Sequence, residues 1–252
     1  MMQLDDVVSS TSQDKNRFEE AFHRSIRWYD RCKREHEKQN RHRIQNLYPI
    51  IQGGLNSDFR KISVREILAR DPPGLAIGGL SGGEEKLSFI ETVAVSTESL
   101  PDDKPRYLMG VGYAVDMLLC VALGCDQFDC VYPTRTARFG TALIGYGKTI
   151  SLDQAKYRTD KGPICDQCDC STCQTTTRAY LSYLFRSKIS VACQLLTVHN
   201  LRFQMRFLEL IRKAIIEQRY PQFIKEVLNY FYGDKLESYP DWVLKALEIL
   251  KI

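Results

Sequence analysis

The sequence predicts an α/β protein built on a parallel sheet, and three observations carry that prediction. Short apolar runs alternate with stretches of helical period through the first half of the chain. Each apolar run contains an acid or is followed directly by glycine. The 252 residues, 44% hydrophobic and 26% charged, have the ordinary balance of a globular protein and can bury a sizeable core. A repeated strand–helix–strand order requires parallel strands joined by right-handed crossovers. An open doubly wound sheet and a (β/α)8 barrel both satisfy it, and both place ligands at the carboxyl ends of the strands.

The strand runs are Met2–Val8, Leu47–Gln52, Leu75–Ile77, Arg106–Met109 and Gln127–Tyr132. Between the first two, Phe18, Phe22, Ile26, Tyr29 and Cys32 recur at spacings of three and four, which predicts an amphipathic helix over 13–38. Phe59, Ile62, Ile67 and Leu68 do the same for 57–70, and 84–98 and 114–123 follow as helices. The strand ends carry Asp5-Asp6, Gln52-Gly53-Gly54, Gly78-Gly79, Gly110-Val111-Gly112 and Asp129, which the topology gathers on one rim. Five strands do not close an eight-stranded barrel, so a barrel implies strands preceding Met1.

After residue 140 the rhythm changes. TALIGYGKTI predicts a hairpin turning near Gly145–Gly147. Helices follow near 174–187, 199–218, 221–232 and 240–250, with Pro221 and Pro240 at their starts.

The net charge of +4 gives no bulk argument for nucleic acid. Locally, Arg24, Arg27, Arg31, Lys33, Arg34, Lys38, Arg41 and Arg43 make residues 24–43 basic, either a solvated helix face or a phosphate-facing patch. No charged-then-apolar leader and no long apolar run occurs in the sequence, which predicts an intracellular protein without a transmembrane segment. In a reducing compartment, the crowding of four of the nine cysteines into CDQCDCSTC at 165–173 points to metal rather than disulfides. His199 lies further on, in LLTVHN. Cys165, Cys168, Cys170 and Cys173 offer an all-cysteine site with His199 left in the core. The tighter Cys-x-Cys-x2-Cys run with a helical histidine favours Cys168, Cys170, Cys173 and His199 as a closed, structural zinc site.

In Phe128-Asp129-Cys130-Val131-Tyr132-Pro133-Thr134-Arg135-Thr136-Ala137-Arg138, an acid closes an apolar strand, where burial is costly without a reason. Carboxylates act as covalent nucleophiles on sugar carbons, and the arginines beyond can grip phosphate. The plainer reading is a turn cap and surface ion pairs, and composition leaves both open. The glycines at 53–54, 78–79 and 82–83 permit close approach of a flat ligand. They match neither Gly-x-Gly-x-x-Gly nor a Walker motif, so no nucleotide cofactor is indicated.

Taken together, MQLDDVVSS, IIQGGL, AIGGLSGGE, KPRYLMGVGY, FDCVYPTRTARFG and CDCSTCQ…TVHN, in that order, resemble the tRNA-guanine transglycosylase family, in its eukaryotic queuine tRNA-ribosyltransferase catalytic type. The resemblance covers essentially the whole chain. It implies a (β/α)8 barrel, here N-terminally incomplete with about five strands, plus a zinc-binding insertion and C-terminal helices. It also implies exchange of guanine for queuine at the wobble position of tRNAs with GUN anticodons. By the same resemblance, Asp129 is the nucleophile on ribose C1′, and Asp5, Gln52 and the backbone at Gly79 bind the base. Gly110, Val111, Gly112, Tyr113, Ala114, Val115 and Asp116 form one RNA-contacting segment, and Thr134, Arg135, Thr136, Ala137 and Arg138 another. Cys168, Cys170, Cys173 and His199 match the zinc ligands. The implied partners are the tRNA anticodon arm, queuine or guanine, and an accessory subunit of the same family in a heterodimer. The implied location is the cytoplasm, with peripheral association at the mitochondrial outer membrane.

The family's barrel begins well before the stretch matched by Met2. Its first strands are absent, and with them an acid in an Asp-x-Gly-Gly-Phe-Gln context that resembles a general base. The expected organisation is a partial barrel over 1–140 with the base pocket and nucleophile, a zinc-binding subdomain over 141–200, and C-terminal helices over 201–252. The competing expectation is a short, non-catalytic form that binds zinc, RNA or a partner.

Overall fold

A computed structural model describes residues 1–12 and 14–252. The chain divides into two compact units, one of 1–111, 119–129 and 239–252, the other of 112–118 and 130–238.

The first unit is a parallel α/β assembly. Strands β1 (Ile50–Ile51), β2 (Leu75–Ile77), β3 (Arg106–Leu108) and β4 (Gln127–Phe128) pair in the order β1-β2-β3-β4. All pairs are parallel, with Ile50 opposite Ala76, Leu75 opposite Arg106 and Tyr107 opposite Gln127. Helices α1 (Lys15–Lys38), α2 (Ser57–Leu68) and α3 (Lys86–Thr97) follow in the predicted order, as does α4 (Ala114–Ala122), of which residues 119–122 belong to this unit. Ile51, Leu75, Ala76, Ile77 and Leu108 have no exposed surface, as strands covered on both faces require. Asp14 caps α1 through the Arg17 N–H at 3.0 Å, and Asn56 caps α2 through the N–H groups of Asp58 and Phe59. Helix α10 (Asp241–Leu250) returns from the end of the chain to pack on α3.

Four of the five predicted strands are shorter than their apolar runs: Leu47–Gln52 is a strand only at Ile50–Ile51, Arg106–Met109 stops at Leu108, and the first and last runs depart furthest. Met2–Val8 makes one parallel bridge, Met2 to Tyr48, and is otherwise not a strand. The side chain of Gln3 takes over the ladder there, accepting from the Ile50 N–H at 3.0 Å and donating to the Ser25 carbonyl at 3.0 Å. The Asp6 N–H then donates to the Ser25 hydroxyl at 2.9 Å, so the backbone leaves the sheet for α1. The run Gln127–Tyr132 stops at Phe128, and helix α5 (Tyr132–Arg138) begins with Pro133 in its first turn, where a missing N–H costs nothing.

The second unit contains α5, the antiparallel hairpin β5 (Thr141–Ile144) and β6 (Lys148–Ser151), and helices α6 (Ser171–Thr175), α7 (Arg178–Arg186), α8 (Val191–Ile216) and α9 (Tyr220–Tyr232). The predicted helix over 174–187 is two helices, because Thr176 and Thr177 are extended and the Thr177 hydroxyl caps α7 at the Tyr180 N–H. The predicted helix over 199–218 begins earlier, which puts His199 in the interior of α8. Ala137, Ala142, Leu152, Ile164, Leu181 and Leu196 form the core of this unit. Among the described residues, no helix is long and apolar enough to cross a membrane.

Candidate active site and metal centre

Asp5, Gln52 and Gly79 come together at the carboxyl ends of the first strands. The Gln52 side-chain amide donates to the Asp5 carboxylate. Its Oε1 lies against Gly79, where a side chain would collide with it. Gly79 has φ +69°, a left-handed conformation that L side chains rarely adopt. Burial raises the Asp5 carboxyl above the usual range, and the bond from Gln52 opposes that rise. The neighbouring Asp6 has another role. It is clamped by Arg17 at 2.5 Å and Arg24 at 2.7 Å, and the Arg17 hydrogen bond holds its carboxyl below the usual range.

The adjacent glycine loop is pinned by Glu84. Its carboxylate accepts from the Ser81 and Gly82 N–H groups and from the Ser10 hydroxyl. These charge-assisted bonds fix the loop that follows Gly79.

Asp129 lies just beyond the last residue of β4. The sequence suggested a buried acid, yet its side chain is exposed, because β4 lies at the edge of the sheet, with β3 as its one neighbour among the described residues. Its Oδ1 accepts from the Tyr107 hydroxyl at 2.5 Å and from the Gly110 N–H at 2.9 Å. Gly110 presents that N–H from a left-handed turn at φ +80°. Burial, then the Asp129 hydrogen bond, raises the Tyr107 hydroxyl far above its ordinary pKa, so it stays a donor.

Of the first predicted RNA-contacting segment, Gly110 and Tyr113 are exposed, while Val111, Gly112, Ala114, Val115 and Asp116 are buried. Within the second unit, Tyr113 and Tyr132 face each other with ring centres 4.4 Å apart, and Gln204 donates to the Gly112 carbonyl at 2.6 Å. The second segment is α5. Arg135 and Arg138 are exposed, Thr134 and Thr136 are half-buried, and Ala137 is in the core.

The donor atoms of Cys168, Cys170, Cys173 and His199 all lie within 4.8 Å of one another. His199 Nδ1 is 3.3 Å from Cys173 Sγ and 3.8 Å from Cys170 Sγ. A tetrahedral zinc ion with ordinary bond lengths separates its sulfur and nitrogen ligands by about 3.5–3.8 Å, so this donor set fits one ion. The outer nitrogen of the ring supports the same conclusion. His199 Nε2 lies 2.8 Å from the Leu143 carbonyl and donates to it, which leaves the Nδ1 lone pair aimed at the sulfurs. Burial keeps the imidazole neutral and pushes the Cys170 and Cys173 thiols up, so a cation has to offset that cost for them to ionise. Cys165 stands outside the cluster, so the grouping that could hold one ion is three cysteines and one histidine rather than four cysteines.

Three residues escape sequence reading. Tyr107 looks like an ordinary strand residue, but it is the donor to Asp129. Arg60 looks like surface charge on α2, but it is wholly buried. Asn200, next to the metal-site histidine, is also wholly buried; it donates to the carbonyls of Pro133 and Thr141 and accepts from the Leu143 N–H, tying α5 and β5 to α8.

The family model described as queuine tRNA-ribosyltransferase matches residues 1–232. The queuine tRNA-ribosyltransferase catalytic subunit of Schizosaccharomyces pombe is 50% identical over 100% of this chain, which spans 63% of that protein. The protein of the same description in Caenorhabditis elegans is 44% identical over 98% of the chain and 64% of its own length. A queuine tRNA-ribosyltransferase of Thermus thermophilus is 42% identical over 91% of the chain and 57% of its own length. The chain thus spans less than two thirds of the length of these relatives. With the family model aligned from the first residue through α9, the chain belongs to the queuine tRNA-ribosyltransferase family.

Proposed function

We propose that this chain carries the base-exchange chemistry of a tRNA-guanine transglycosylase, replacing guanine by queuine at the wobble position of tRNAs with GUN anticodons. One observation supports the reading above all. Both donors to Asp129 engage Oδ1, so Oδ2 is left without a protein partner among the described residues and has a lone pair free to attack. In the proposed reaction an Asp129 lone pair forms a bond to ribose C1′. The C1′–N9 bond breaks, its electron pair leaves with guanine, and guanine takes up a proton. The incoming base then attacks C1′ through nitrogen, expels the carboxylate and gives up its N–H proton to water, which balances the proton that guanine took up. The transition states resemble an oxocarbenium ion, which a carboxylate stabilises as well as traps.

Asp5, the Gln52 amide and the Gly79 N–H supply the hydrogen bonds that read the heterocycle, in a pocket entered only by an unstacked base. Tyr113, Arg135 and Arg138 are the exposed side chains of the two proposed RNA segments, beside the exposed Gly110 backbone, and would meet phosphates and bases. The buried members support them. Cys168, Cys170, Cys173 and His199 would hold one structural zinc ion, whose four protein ligands leave no position for substrate.

The four parallel strands are read as part of a (β/α)8 barrel, residues 141–200 as its zinc-binding insertion and 201–252 as helices outside it. An accessory subunit of the same family is the proposed partner. On α8, Val191, Val198, Leu201 and Met205 are exposed at helical spacing and give such a partner an apolar row to cover. Labelled guanine and a GUN-anticodon tRNA test the reading. The chain, alone or with that subunit, incorporates label at the wobble position. No incorporation with any such tRNA contradicts it.

A further inference from the structure

Arg60 is fully buried on α2, and it meets carbonyl oxygens instead of a carboxylate. Its Nε donates to the Gly54 carbonyl at 2.8 Å, Nη1 to that of Ile51 at 3.1 Å, and Nη2 to that of Gly78 at 2.9 Å. Burial pulls its pKa down to about 9, against a smaller opposing pull from Glu84. A cation this deep is costly, and each of its bonds goes to the last residue of β1, to the turn after β1 or to the turn after β2.

Those turns carry Gln52 and Gly79. In a trans peptide the carbonyl and the N–H point in opposite directions. Holding the Gly78 carbonyl therefore turns the Gly79 N–H away from Arg60. Holding the Ile51 carbonyl does the same for the Gln52 N–H, which meets the Ser63 hydroxyl at 3.1 Å. The fit is close enough that a Cβ on Gly53 would stand 2.7 Å from the Arg60 backbone nitrogen.

We propose that Arg60 is a positioning residue for base recognition: its planar fork holds the carbonyls of Ile51, Gly54 and Gly78, so that Gln52 and the Gly79 N–H present one geometry to the heterocycle. This rests on reading Gln52 and Gly79 as base-binding. The guanidinium also polarises the Gly78–Gly79 peptide from its carbonyl side. That strengthens the Gly79 N–H as a donor to a base that gains negative charge as its bond to ribose breaks.

Arg60→Lys keeps the charge and loses the fork; Arg60→Met keeps the length and leaves the carbonyls unpaired. For each variant that folds, three quantities are measured on the full chain: guanine affinity by calorimetry, tRNA affinity by filter binding, and backbone hydrogen exchange. In Arg60→Lys, guanine binds about tenfold more weakly while tRNA affinity stays within about twofold, because phosphates set the latter. Exchange at Gly54 and Gly79 quickens, and exchange in the second unit does not change. Unchanged guanine affinity overturns the proposal, as does an equal loss of both affinities. A wild-type chain that binds no guanine contradicts the transglycosylase reading instead. The exchange measurement then decides the clamp alone: local quickening supports it, and wild-type exchange overturns it.

Discussion

The hydroxyl of Tyr107 donates to the Oδ1 of Asp129 at 2.5 Å, from the strand beside the one that Asp129 follows. Parallel pairing of β3 with β4 puts Tyr107 opposite Gln127 and carries the two side chains toward the same end of the sheet. In the proposed reaction, a phenol in this position would steady the carboxylate before attack and again when it departs from C1′. Its effect is larger on departure, when charge returns to the oxygens. Tyr107→Phe is therefore expected to form the covalent intermediate and release it slowly. Removing a hydrogen bond to a charged group costs about 1.5–3 kcal/mol, so turnover falls at least about tenfold. Single-turnover kinetics that separate formation from breakdown check this, and wild-type breakdown would refute it.

Metal content tests the cluster of three cysteines and one histidine. Cys170→Ala and His199→Ala each lose about one equivalent of zinc, and the unit holding α5 to α9 melts at lower temperature, since metal binding is coupled to folding. Cys165→Ala keeps the metal. Loss of metal from Cys165→Ala with retention in His199→Ala would show an all-cysteine site.

Gly79→Ala places a methyl group against Gln52 Oε1 at a positive φ. Strain of this kind costs about 1–3 kcal/mol. Lower guanine affinity should accompany the lower melting temperature, because Gln52 has to move. A variant with unaltered guanine affinity would remove Gly79 from the pocket.

Asp6 sets a pH dependence. Arg17 and Arg24 hold its folded carboxyl below the unfolded value, so its contribution is complete above that value and is lost as pH falls through the folded one. Asp6→Asn therefore melts below wild type at neutral pH, and the gap closes as pH drops below about 4, the ordinary carboxylate range. A gap that persists in acid would assign the difference to something other than this ion pair.

The chemistry-bearing side chains were more legible in the sequence than their supports. Cys168, Cys170, Cys173 and His199 could be read from spacing, because a thiolate run and a helical imidazole have few other uses. Asp129 stood out because an acid closes an apolar run, while its proposed role as nucleophile came from the family resemblance; its exposure could not be read, since edge position depends on sheet order. Arg60 and Tyr107 were hidden for a common reason. A helix arginine and a strand tyrosine are commonplace locally, and only tertiary contact gives them partners. Met2–Val8 misled because its apolar pattern is that of a strand, while Gln3 and Ser25 supply the hydrogen bonds that end the pairing. The helix boundary at Thr176–Thr177 was missed because threonine capping competes with helix continuation without breaking the apolar period.

The central claim is that Asp129 attacks ribose C1′. The measurement that reaches it most directly is a denaturing gel of the chain, with the proposed accessory subunit if required, after incubation with a GUN-anticodon tRNA. A protein–RNA band that survives denaturant is expected from wild type, absent from Asp129→Asn, with zinc content equal in both. A band that persists in Asp129→Asn, or none from wild type with any such tRNA, would contradict the account.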